Sequence, residues 1–228
     1  MSEQLTFDLP TRTGVGRDDF FVSDANKAAV AGVDGWQDWP QRRMILAGPE
    51  GAGKTHLAHI WADTAGADVV NVRQFADYDL ADWTLRPVCL EDLDALADNL
   101  EAQKWVFHVY NLSDQAGVPV LLTGRGLTQD WADMLPDLAS RLASVNRVEL
   151  GAPDDALMAA VLVKLFEDRQ LAPDATVIKY LLPRIERSFA AAQDVVQRLD
   201  SEALKRSRPI SVPLARSVLN TPDAPGTR

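Results

Sequence analysis

An α/β fold with a parallel five-stranded sheet flanked by helices, followed by a small all-helical lid, is what this 228-residue sequence predicts. Three observations carry the prediction. First, five short apolar runs are separated by helix-like stretches: MILAG (44–48), DVVNV (68–72), PVCLED (87–92), VPVLLTG (118–124) and NRVEL (146–150). They are rich in Val and Leu and do not alternate with polar residues, as befits strands buried on both faces. Strands alternating with helices indicate a parallel sheet. Second, the first run leads directly into GPEGAGKT (48–55). Third, the texture changes after Pro153. DDALMAAVLVKLFEDRQ, DATVIKYLLPRIERS and AAAQDVVQRLDSEALKRS all show helical spacing, with no strand-like run between them.

These observations divide the chain. Residues 1–14 read as a tail, 15–151 as the α/β domain, 152–220 as the helical lid and 221–228 as a frayed terminus. Ahead of the first strand, DANKAAVAGV reads as a helix from Asp24, with Ser23 or Asp24 as its N-cap.

Gly48-Pro49-Glu50-Gly51-Ala52-Gly53-Lys54-Thr55 satisfies G-x-x-x-x-G-K-[ST] in full, after a strand and before a helix. Glycines let the backbone turn tightly, so that N–H groups converge on phosphate oxygens. The helix start adds its positive dipole end. Lys54 then reaches the outer phosphates and Thr55 holds Mg²⁺. ADP or ATP is the ligand this predicts, and the alternative is a glycine-rich turn with a chance lysine. His56 joins the binding set. His56 and His59 alone do not make a zinc site, which needs three or four protein ligands, so this pair reads as helix packing and neighbouring contacts.

The strand PVCLED ends in Glu91-Asp92, about 35 residues beyond the phosphate loop. Mg²⁺-dependent hydrolysis needs one carboxylate near the metal and one to orient water. Neighbouring residues on a strand face opposite ways, so the two acids take different roles. Glu91 is the expected Mg²⁺ partner with Thr55. The plain alternative is a solvated acidic turn, since Asp94 and Asp98 follow.

Composition narrows the partners. Hydrophobic residues are 46% of the chain, enough for a buried core. The net charge is −10 and the pI about 4.7, unlike a protein whose task is gripping DNA phosphates. The lone Cys89 cannot form an internal disulfide, and a reducing cytoplasm fits. The longest apolar stretch, ALMAAVLVKLF, is broken by Lys164 and too short to span a bilayer. The six tryptophans are scattered without basic neighbours and read as packing anchors.

In order, GKTHLAHI, CLEDLDAL, LLTGR and LASRL resemble the AAA+ domain of the DnaA family over roughly residues 15–206. The resemblance implies further roles. DDFFVSDAN (18–26) matches the segment that cradles adenine, with Val22 a contact. Arg141, in LASRL, matches the arginine finger inserted into a neighbour's site; its plain alternatives are a solvated residue or a partner for Asp137. Only 22 residues follow Arg206, too few for a helix-turn-helix domain, so the closer resemblance is to the short, Hda-like homologues of DnaA. These promote hydrolysis of DnaA-bound ATP on the sliding clamp, the β subunit of DNA polymerase III. Gln4, Leu5, Phe7 and Leu9 resemble a clamp-binding peptide: Gln4 meets polar groups at the rim while the apolar residues enter a groove.

Three departures from the family concern hydrolysis or γ-phosphate sensing. Thr123-Gly124 stand where the family has Ser-Asp, Ala191 stands at the lid's sensor arginine, and Glu91 replaces Asp. Arg184 or Arg187 is the stand-in cation to look for. The expectation is a nucleotide-binding protein, with ADP favoured, weak in its own hydrolysis and acting on DnaA without sequence-specific DNA binding or membrane attachment. Self-association stays open. The alternatives are a self-hydrolysing, helicase-loader-like ATPase and a non-catalytic adaptor that blocks DnaA assembly.

Overall fold

The structure is a computed structural model that describes residues 20–80, 86–126 and 134–220. Five parallel strands lie in the order β2-β3-β4-β1-β5. They are β1 (Arg43–Ala47), β2 (Asp68–Asn71), β3 (Val88–Glu91), β4 (Val120–Gly124) and β5 (Arg147–Glu149). Each coincides with one of the five apolar runs. β4 pairs with β1 from Arg43↔Val120 to Ala47↔Gly124, and with β3 from Val88↔Val120 to Leu90↔Leu122.

Strand parity explains the unbroken apolar runs. Ile45, Val88, Leu90, Val120 and Leu122 share one buried cluster with α3 (Leu100–Ala116) and α4 (Pro136–Ala143). Met44, Leu46, Cys89 and Leu121 share the other with α1 (Lys27–Asp34) and α2 (Lys54–Ala65). With helices on both faces, both parities must be apolar. The edges differ: in β5, Arg147 and Glu149 are exposed, and in β2 only Val70 is fully buried. Trp39 stacks on Trp61 at 5.4 Å beneath α2.

The first helix starts later than the sequence suggested, at Lys27. Residues 24–26 form a turn, in which Asn26 accepts from the Ser23 N–H at 2.8 Å and donates to the Phe21 carbonyl at 2.8 Å. Asn26 therefore braces the incoming chain and makes no side-chain cap to the helix.

The lid holds α5 (Asp155–Glu167), α6 (Ala175–Leu181), α7 (Phe189–Arg206) and α8 (Val212–Asn220), around a core of its own that includes Leu162, Phe166, Leu181, Val196 and Leu199. Asp154, Asp174 and Ser188 cap the first three of these helices, each accepting a backbone N–H one turn in. The helical spacing of DATVIKYLLPRIERS overstated α6. Pro183 lacks an N–H and restricts the residue before it, so the helix stops at Leu181. The helix α8 was not singled out from the sequence; Leu214, Ala215 and Val218 close the lid core.

Candidate functional site

The C-terminal ends of β3, β4 and β1 lie side by side along one edge of the sheet. Such an edge is where open parallel sheets place ligands. Beside it lies a cavity of about 640 Å³ whose walls come from the phosphate loop, the β3 and β4 ends, the segment before α1, and the lid.

The loop after β1 is shaped by two left-handed glycines, Gly51 at φ +72° and Gly53 at φ +96°. Gly48 anchors its start: its N–H donates to the carbonyls of Gly124 and Arg125, both at 3.2 Å. A Cβ there would lie 2.3 Å from the Leu150 carbonyl oxygen. Ala52 is buried, with its N–H on the Pro49 carbonyl at 3.4 Å. Glu50, Gly51, Gly53, Lys54, Thr55 and His56 face the cavity. The Lys54 ammonium donates to the Gly48 and Pro49 carbonyls at 2.7 and 2.8 Å. Burial holds its pKa below the ordinary lysine value, while Asp94, Asp92 and Glu50 push it up and Arg125 lowers it.

The two acids at the β3 end part company more sharply than strand alternation foresees. Glu91 closes the strand and is 7% exposed. Its Oε2 lies 3.7 Å from His59 Nε2 on α2, while its Oε1 is buried without a hydrogen-bond partner. Asp92 has already left the strand in a left-handed conformation, φ +62°. It lines the cavity, and its carboxylate accepts from Asn71 Nδ2 at 3.1 Å and Arg73 Nε at 3.3 Å. Its N–H donates to Thr123 Oγ1 at 3.3 Å. Thr123 therefore ties the β3 and β4 ends together and also faces the cavity.

At the entrance, Phe20 and Phe21 line the cavity while Val22, 53% exposed, is outside the lining. Phe20 meets His56 edge-on at 5.1 Å. The lid contributes Val161, Lys164, Leu165, Asp168, Phe189 and Gln193. Ala191 gives only a methyl group, with its N–H taken by the Ser188 cap. Arg184 and Arg187 do not supply the missing cation. Arg184 lies over the Tyr180 ring at 4.0 Å, and Arg187 pairs with Asp155 at 2.8 Å. The arginines that line the cavity are Arg73 and Arg125, neither of which the sequence reading selected.

Arg141 lies outside this lining, on α4, with its guanidinium 5.2 Å from the Phe107 ring and 5.3 Å from the Tyr110 ring. Gln4, Leu5, Phe7 and Leu9 fall outside the described residues. Among the described residues, no group of three or more His, Cys, Asp or Glu could hold a metal alone. That is no obstacle to Mg²⁺, which usually takes one or two protein ligands and relies on phosphate and water for the rest. The left-handed glycines, the desolvated Lys54 and the orphaned Glu91 oxygen fit a Mg²⁺–phosphate ligand. Thr55 with Glu91 or Asp92 would hold the metal.

Residues 155–219 match the family model described as Hda, lid domain. The lid is thus similar to the Hda lid domain. The rest follows the same line. Domain III of the replication initiation protein DnaA from Thermotoga maritima superposes with a TM-score of 0.78 at 17% identity, over 92% of this chain and 98% of that one. AMPPCP-bound DnaA from Aquifex aeolicus gives 0.67 at 19% identity, over 83% of this chain and 67% of that one. The Thermotoga maritima RuvB Holliday junction branch migration motor gives 0.59 at 16%, over 78% of this chain and 60% of that one. At these identities the likeness to solved structures is one of fold. The fold is that of DnaA domain III, and the lid segment is similar to the Hda lid domain. Among the described residues of this Hda-like chain, no helix is long and apolar enough to cross a membrane.

Proposed function

We propose that this protein binds adenine nucleotide with Mg²⁺, ADP being the favoured form, and uses Arg141 on the ATP of a DnaA partner, so inactivating that partner in the cytoplasm. The observation that carries the reading is the separation of two devices. The phosphate loop and Asp92 line one cavity, while Arg141 is held outside it over Phe107 and Tyr110.

An arginine supplied in trans stabilises charge on a transferring phosphoryl group and is worth roughly 10³–10⁵ in rate. Within the chain's own site, Lys54 and the loop N–H groups bind phosphate, Thr55 and Glu91 hold the metal, and Asp92 orients water. Bound Mg²⁺ neutralises phosphate charge. Asp92 is tied to Arg73 and Asn71, and Ala191 offers no charge, which favours slow hydrolysis in cis. Gln4, Leu5, Phe7 and Leu9 dock on the sliding clamp and bring Arg141 to DnaA. The AMPPCP bound in the Aquifex DnaA structure supports the nucleotide part of the reading.

The test is hydrolysis of DnaA-bound ATP in the presence of clamp-loaded DNA, with the parent chain and with Arg141→Ala. Acceleration by the parent and not by the variant is expected. Equal acceleration by both would remove Arg141 from the mechanism, and acceleration by neither would leave an adaptor or a self-hydrolysing ATPase.

A further inference from the structure

Arg125 is anchored at three points. Its backbone N–H donates to both oxygens of Asp94, at 3.0 and 2.9 Å. Its carbonyl accepts from the Gly48 N–H at 3.2 Å. Its guanidinium Nη2 lies 2.8 Å from Glu50 Oε2. Gly48 and Glu50 are the first and third residues of the phosphate loop, so the two ends of the ion pair stand on loops that are hydrogen-bonded to each other. Arg125 and Glu50 line the cavity together with Lys54 and Thr55.

The preceding residue, Gly124, brings no side chain, so the first side chain beyond the β4 end is that of Arg125. The pair is also free to exchange. The Arg125 and Glu50 side chains are 56% and 76% exposed, so either can be re-solvated if the other is taken away. A guanidinium binds a phosphate through two parallel N–H bonds at least as well as it binds a carboxylate. A terminal phosphate entering beside Lys54 meets Glu50 as a like charge and Arg125 as an opposite one.

We propose that Arg125 reads the terminal phosphate of a bound nucleoside triphosphate, and that Glu50 competes with that phosphate for its guanidinium, so that the pair sets the preference between diphosphate and triphosphate. This rests on the nucleotide reading above. With a diphosphate the ion pair persists and Glu50 is neutralised. With a triphosphate Arg125 must leave Glu50, and the loop carboxylate is left unpaired beside the phosphates. The device thus penalises the triphosphate, and Glu50 rather than Arg125 is the source of the penalty.

The test is calorimetric titration of the full chain with Mg·ADP and with Mg·AMPPCP, for the parent, Glu50→Gln, Arg125→Ala and the double variant. Glu50→Gln is isosteric and keeps the proposal testable should Arg125→Ala disturb its loop. For a pair this exposed, Glu50→Gln should raise the AMPPCP-to-ADP affinity ratio about three- to fivefold, and Arg125→Ala should lower it by about as much. In the Arg125→Ala background, Glu50→Gln should gain clearly less, because only through-space repulsion is left to remove. A ratio unmoved by Arg125→Ala, or an equal gain from Glu50→Gln in both backgrounds, overturns the proposal while leaving the nucleotide reading intact. A parent chain that binds neither nucleotide overturns that reading, and this one with it.

Discussion

Phe189 donates its backbone N–H to the Gly51 carbonyl at 3.1 Å, so α7, the longest lid helix, begins directly on the phosphate loop. The approach is close. A Cβ on Gly51 would lie 2.3 Å from Ser188 Cβ, and one on Gly53 would lie 2.8 Å from the Phe189 ring. The lid and the loop therefore share one packing problem, and glycine solves it twice.

Gly51→Ala should reveal this. The left-handed backbone alone costs an alanine about 1–2 kcal/mol, and the clash with Ser188 adds to it. Gly66→Ala is the control, with φ +65° and nothing within 4 Å of the added atom. Thermal unfolding should fall further for Gly51→Ala than for Gly66→Ala, and the lid of the Gly51 variant should become more protease-sensitive. Equal shifts would mean that the loop and lid do not meet as described.

Local patterns were legible in the sequence, and tertiary neighbours were not. The phosphate loop announces itself because all its parts are consecutive, and the strands do so because helices cover both faces of the sheet. Glu91 and Asp92 were found as a pair, yet the left-handed turn at Asp92 that separates them has no sequence signature. Arg73 and Arg125 each follow a strand end, and that position was the one available signal for them. Lys164, Phe189 and Gln193 had none, because an amphipathic lid helix does not declare which of its flanks will face another domain. Arg184 and Arg187 were suggested by charge and nearness in sequence, but Tyr180 and Asp155 hold them elsewhere.

Asp154 gives a prediction with a pH signature. As N-cap of α5 it accepts from the Leu157 N–H at 2.7 Å, and that bond above all holds its pKa below the usual 3.8. A depressed carboxylate pKa means the folded state favours the charged form. Its contribution is then complete above the unfolded pKa and is lost as pH falls through the folded one. Asp154→Ala should cost about 1 kcal/mol at neutral pH. Denaturant titrations of parent and variant should converge as pH drops below about 4. A penalty that stays constant down to acidic pH would show that the carboxylate charge is not what caps the helix.

Arg43 is a charged residue at the start of a central strand, only 2% exposed. Its guanidinium pairs with Asp114 at 3.0 Å, donates to the Tyr110 carbonyl at 3.2 Å and lies 4.1 Å above the Tyr110 ring. The Asp114 partner is 58% exposed and can be re-solvated, so losing Arg43 does not strand a buried charge. Arg43→Ala should cost about 2–4 kcal/mol, mostly for the cavity it leaves. Arg43→Met, which fills the space, should cost less, because buried ion pairs add little over well-packed apolar residues. Chemical denaturation of both variants decides it, and a larger loss for Arg43→Met would show that the charge itself is required.

Arg141 is held by aromatic contacts on α3. Its guanidinium lies over two rings of α3, Phe107 at 5.2 Å and Tyr110 at 5.3 Å, and Arg43 approaches the same Tyr110 ring. Tyr110 is buried and supports Arg43, so changing it would confuse folding with positioning. Phe107 is only partly buried and touches Arg141 without touching the cavity, which makes it the better probe. A cation–π contact at an exposed site is worth about 0.5–1 kcal/mol. On the proposed trans role of Arg141, Phe107→Ala should reduce stimulation of DnaA-bound ATP hydrolysis about two- to fivefold, by letting Arg141 sample other rotamers before it engages. Nucleotide affinity of the variant should match the parent, since the cavity lies elsewhere, and Phe107→Tyr should restore stimulation. If Phe107→Ala stimulates as well as the parent, the rings merely pack beside Arg141, and the partner alone orients the guanidinium.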